Sequence, residues 1–69
     1  MSEPAGIRVL LVDDQALVRA GFRIILQSEP GIHVVGETSD GAAALVLART
    51  LQPDVICMDV QMPGGALEA

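Results

Sequence analysis

The chain has 69 residues, the size of one small domain, and 51% of them are hydrophobic against 19% charged, which excludes a disordered polypeptide. Nine acidic residues oppose four basic ones (Arg8, Arg19, Arg23 and Arg49), giving a net charge of -5 with no lysine and one aromatic residue, Phe22. That balance lacks the basic stripe and stacking platform that nucleic-acid binding requires, and the single cysteine, Cys57, excludes an internal disulfide.

No apolar run approaches the roughly 18 residues of a membrane span, and the first residues, Met-Ser-Glu-Pro, are acidic where a secretory signal would be basic. Both features predict a cytoplasmic protein with no membrane partner. In chain order, residues 7–12 are apolar except for Arg8 and rich in β-branched types, which predicts a buried parallel strand. Beyond Asp13 and Asp14, apolar Leu17, Val18, Phe22, Ile25 and Leu26 recur at helical spacing. They predict an amphipathic helix over about 16–28, with Arg19 and Arg23 on the opposite, solvated face. Pro30 and Gly31 stop it, because proline cannot continue a helix and glycine accepts the left-handed exit.

A second strand is predicted over about 33–37, then a helix over about 41–51 capped by Ser39 or Asp40 and closed by Pro53. From Ala42 to Leu47 this helix is apolar all round, so a core-facing stripe explains one side and a partner chain is expected on the rest. A third strand over about 54–58 runs into Asp59, and Met62-Pro63-Gly64-Gly65 is loop chemistry. The order βαβαβ specifies an α/β fold with a parallel sheet and right-handed crossovers.

Asp13 and Asp14 end the first strand and Asp59 ends the third. In a parallel sheet both ends open on the carboxyl edge, where open α/β sheets bind ligands. If the two strands are neighbours, three carboxylates converge, and such a group either takes up protons or is neutralised by a hard cation such as Mg²⁺ or Mn²⁺. Asp54 lies at the far end of the third strand and reads as a turn residue. His33 reads as a surface histidine and Cys57 as a small core residue.

The segments Val9-Leu-Leu-Val-Asp-Asp14, Val18-Arg-Ala-Gly-Phe-Arg23, Val34-Val-Gly-Glu37, Ser39-Asp-Gly41 and Pro53-Asp-Val-Ile-Cys-Met-Asp-Val-Gln-Met-Pro63 resemble the receiver domain of bacterial response regulators, in the NarL/LuxR-like subgroup. The resemblance runs from about Ile7 to Pro63 and implies a flavodoxin-like (CheY-like) fold with strand order 2-1-3. It implies that Asp59 is the phosphoacceptor and that Asp13, Asp14, Asp59 and the Gln61 backbone carbonyl hold Mg²⁺ or Mn²⁺. A sensor histidine kinase is the implied partner, and DNA would be bound by a further domain of a parent transcriptional regulator. A complete receiver has five strands, so residues 1–69 would be a partial receiver, without strands four and five and the switch hydroxyl, aromatic and lysine they carry.

Phosphorylation is therefore expected to be slow or absent, and the open edge of the third strand is expected to drive self-association. The reading is of a signalling domain and not an enzyme. Two alternatives are a non-catalytic self-associating fragment and a haloacid-dehalogenase-type phosphohydrolase. The adjacent acids Asp13-Asp14 disfavour the latter, which spaces its acids as Asp-x-Asp.

Overall fold

The computed structural model describes residues 6–59. Five elements follow in order: β1 (Ile7–Val12), α1 (Ala16–Gln27), β2 (Ile32–Thr38), α2 (Gly41–Leu51) and β3 (Val55–Met58). The strands form one parallel sheet in the order β2-β1-β3, so β1 is central and bonded on both sides. This is the α/β arrangement that the alternating apolar runs and helical spacings predict.

The apolar residues of β1 fill the middle of the molecule. Val9, Leu10, Leu11 and Val12 are all buried, which is why an almost unbroken hydrophobic run is stable there. On one side of the sheet, Leu10 and Val12 pack with Ala44, Leu47, Ala48 and Leu51 of α2 and with Met58 of β3. Asp40 starts α2 by accepting the Ala43 N–H at 3.0 Å, so of the two candidate caps the aspartate serves. Gln52 ends α2 in a left-handed conformation (φ 52°), donating its N–H to the Ala48 carbonyl, before Pro53 prevents continuation.

Helix α1 has no side-chain cap at Gln15 and stops at Gln27, before the proline. Its last turn tightens as the Ser28 N–H reaches the Ile24 and Ile25 carbonyls and the Ser28 hydroxyl donates to Ile25 O at 2.7 Å. Gly31 then supplies a positive φ of 88° and its carbonyl accepts the Ile7 N–H at 2.7 Å, so the turn is already tied to β1.

Strand β2 is longer than the apolar pattern indicates and carries an irregularity. Val9 is opposite Val34 but Leu10 is opposite Gly36, leaving Val35 as an extra residue in a bulge. The bulge resets the alternation of sides. Gly36 faces α2, where an added Cβ would stand 2.6 Å from Leu51 Cδ1 and 3.2 Å from Leu10 Cδ1. Glu37, opposite Leu11, faces α1.

One sequence expectation is corrected by the packing of α1. Arg19 and Arg23 do not form a solvated face: both reach Glu37 of β2, Arg19 Nε at 3.2 Å and Arg23 Nη1 at 2.7 Å. The apolar Leu17 and Ile25 are instead exposed, at 86% and 62%. The two guanidinium groups share one carboxylate beneath the helix through charge-assisted hydrogen bonds, which turns them toward β2.

Candidate metal centre

Backbone rungs carry the sheet one residue past its strand ends and so fix the acids. The Asp13 N–H donates to Thr38 O and the Asp59 N–H donates to Val12 O, each at 3.1 Å. Asp13 and Asp59 therefore emerge from adjacent strands at the same edge, with Asp14 beside them in the loop to α1. One carboxylate oxygen from each of Asp13, Asp14 and Asp59 lies within 4.8 Å of the others, although Asp59 is far from the other two in sequence. Their settings are graded: Asp13 is buried, Asp59 half-buried and Asp14 exposed.

The donor set fits a small hard cation. Opposite oxygens on an octahedral Mg²⁺ are about 4.2 Å apart, so a 4.8 Å cluster closes by a modest carboxylate rotation or an intervening water. Three carboxylates are all-oxygen ligands, the class that suits Mg²⁺, Mn²⁺ or Ca²⁺ and not Zn²⁺ or copper. The soft donor Cys57 lines a cleft of about 90 Å³ between α1 and β3 together with Leu11, Phe22 and Met58. Asp13 and Asp59 border the same cleft.

Further side chains hold the loop that carries the acids. Asp13 Oδ1 accepts the Gln15 N–H at 2.9 Å, a local turn that fixes the approach to α1. Arg19 Nη1 donates to the Asp13 main-chain carbonyl at 2.7 Å while its Nε engages Glu37. The Arg23 hydrogen bond, reinforced by its charge and by Arg19, holds the Glu37 carboxyl below its ordinary value of 4.5 against the opposing effect of burial. This Arg19–Glu37–Arg23 clamp is absent from a reading of the chain by motifs. The i, i+4 spacing of the arginines is visible, but which acid they meet depends on the bulge in β2.

Other predicted residues stand apart. Asp54 accepts the Arg8 N–H at 2.9 Å and returns its own N–H to Arg8 O at 2.8 Å, closing the far end of β1 against β3. His33 is exposed opposite Arg8 at that same end. Cys57 is half-buried at the cleft and not enclosed in the core. Gln61, expected to offer a backbone carbonyl, lies outside the described residues.

Residues 9–66 match the response regulator receiver domain, which covers most of the chain. The chain belongs to this family. Receivers are signalling domains of two-component systems, and they bind Mg²⁺ at an acidic pocket of the kind the three aspartates form here. The response regulator UvrY of Escherichia coli (strain K12) is 58% identical over 64 residues, 91% of this chain and 29% of that protein. The transcriptional regulatory protein LiaR of Bacillus subtilis (strain 168) is 52% identical over 58 residues, 84% of this chain and 28% of LiaR. The crystal structure of a LuxR-family two-component response regulator from Aurantimonas sp. SI85-9A1 superimposes with a TM-score of 0.82 at 40% identity, over 87% of this chain and 43% of that one. The receiver sequence described here thus spans less than a third of the length of these two relatives and less than half of that structure. Among its described residues, no helix is long and apolar enough to cross a membrane.

Proposed function

We propose that this receiver accepts a phosphoryl group on Asp59 from the phosphohistidine of a sensor histidine kinase. The observation that carries the proposal is the convergence of Asp13, Asp14 and Asp59 within 4.8 Å at the carboxyl edge of the sheet. An Asp59 carboxylate oxygen would attack phosphorus as the P–N bond to imidazole breaks, leaving an aspartyl phosphate and a free histidine. Asp13, Asp14 and Asp59, with the Gln61 carbonyl, would hold the divalent cation. That cation supplies charge neutralisation for the incoming phosphoryl oxygens. Asp13 is fixed by its hydrogen bond from Gln15 and Asp59 by its rung to Val12, so the attacking and metal-holding oxygens start close to register.

The module passes a phosphoryl group and does not turn over a substrate, so we read it as non-enzymatic. The resemblance to UvrY and LiaR supports a cytoplasmic parent that regulates transcription through a separate DNA-binding domain. For a polypeptide of these 69 residues alone, we infer slow phosphorylation. The sequence has no lysine to meet the phosphoryl oxygens, and Arg19, the arginine bordering the site, is engaged by Glu37 and Asp13. Incubation with acetyl phosphate and Mg²⁺, followed by intact mass, should show slow, Mg²⁺-dependent gain of one phosphoryl group that Asp59→Asn abolishes. Rapid stoichiometric gain would overturn the inferred impairment, and unchanged gain in Asp59→Asn would overturn the acceptor assignment.

A second reading, self-association, is supported by the exposed apolar residues Val55 and Ile56 on edge strand β3 and Leu45 and Val46 on α2.

A further inference from the structure

We propose that Arg19 is a positioning residue for the divalent cation: it holds the Asp13–Asp14 turn at the height where their carboxylates meet Asp59. The inference rests on the reading of the three aspartates as a cation site and extends it to a residue that offers no ligand.

Two contacts of the Arg19 side chain, and one that braces its partner, make the case. Arg19 Nη1 donates to the main-chain carbonyl of Asp13 at 2.7 Å, the shorter of its two bonds. Arg19 Nε donates to Glu37 Oε1 at 3.2 Å, and Glu37 is itself held by Arg23 at 2.7 Å. The Arg19 side chain is only 20% exposed, so water competes weakly for both acceptors. The planar fork of a guanidinium is suited to bridging two acceptors at fixed geometry, whereas an ammonium presents a single charged centre. Through this bridge the strand end that carries Asp13 and Asp14 is referred to β2, while Asp59 is referred to β1 by its rung to Val12. Without the bridge, the turn keeps only the Gln15 and Thr38 bonds and gains freedom at the two acids nearest the helix. Residues that orient ligands from behind commonly affect metal affinity by about 10- to 100-fold.

Charge and position predict opposite signs, which makes the proposal testable. A cation beside three acids repels an incoming Mn²⁺, so if Arg19 acted through charge alone its removal would tighten binding. If it acts by position, removal weakens binding. Mn²⁺ affinity, read by EPR of the free ion in titrations of the unphosphorylated chain, should fall about tenfold in Arg19→Ala. Arg19→Lys, which keeps the charge and loses the fork, should also fall, by several-fold. Arg23→Ala breaks the other half of the Glu37 clamp without touching Asp13, and should lose thermal stability while binding Mn²⁺ within about twofold of the parent. Unchanged or tighter binding in both Arg19 variants would overturn the proposal, as would an equal fall in Arg19→Ala and Arg23→Ala. Should Arg19→Ala fail to fold, Arg19→Lys against Arg23→Ala decides the same question. Asp14→Asn separates the two levels: weakened binding there with intact binding in the Arg19 variants leaves the cation site standing and removes only the positioning role. Intact binding in Asp14→Asn would remove the cation reading itself.

Discussion

Glu37 pairs with both arginines of α1, and its ionisation gives the clearest handle on that contact. Its folded-state carboxyl lies below the ordinary value of 4.5, chiefly through the Arg23 hydrogen bond. A carboxylate whose value is depressed by folding contributes stability above its unfolded value and loses it as pH falls through the folded value. Glu37→Gln should therefore be less stable than the parent at pH 7, by about 1 kcal/mol for two partly exposed ion pairs. The gap should narrow as pH falls below that ordinary value and close only once pH has passed below the depressed folded-state value, as read by urea melts taken stepwise into acid. A gap that stays constant across this range would show that the Glu37 charge contributes nothing. At this scale the sequence was legible where a residue type states its chemistry: Asp13, Asp14 and Asp59 come together as strand-end acids should. Arg19 and Arg23 were misread, because charge on a helix is ordinarily solvated and the carboxylate that captures them lies on another element.

Among the elements, α2 and α1 begin differently, and the difference predicts different sensitivity. Asp40 satisfies the Ala43 N–H of α2 with its own side chain, so Asp40→Ala should cost about 1 kcal/mol in denaturant melts, whereas Asp40→Asn should cost little. A loss in Asp40→Asn as large as in Asp40→Ala would point to the charge and not the cap. Asp13 holds the Gln15 N–H just ahead of α1, which ties the approach to that helix to the candidate cation site. The strands were easily read, since unbroken runs of Val, Leu and Ile between turn residues specify buried parallel strands. The bulge at Val35 was not, because nothing in a period-two pattern marks an extra residue. Only Gly36, too close to Leu51 and Leu10 for a side chain, hints at the irregularity.

As a molecule, the described residues bury few apolar side chains beyond those of β1, and they leave Leu17, Leu45 and Val46 at 86%, 64% and 61% exposure. Fold class follows from the order of elements, but which helix flank is covered depends on how wide the sheet is, a property no single segment encodes. The self-association proposed above rests on this apolar surface and the β3 edge. Light scattering of the 69-residue polypeptide at tens of micromolar should give a mass of a dimer or more, reduced by Val46→Glu or Ile56→Lys, while a compact monomer would overturn this. The spare residue in β2 has an effect on what the gene can tolerate. Six positions of β1 are matched by seven of β2, so losing the codon for Val35 would straighten the ladder and leave Glu37 opposite Leu11. Losing a codon from β1 has no such slack: Asp13 would slide into the slot of Val12 and arrive among the leucines beneath α2. Neighbouring strands of one sheet therefore differ sharply in the deletions that descent can accept.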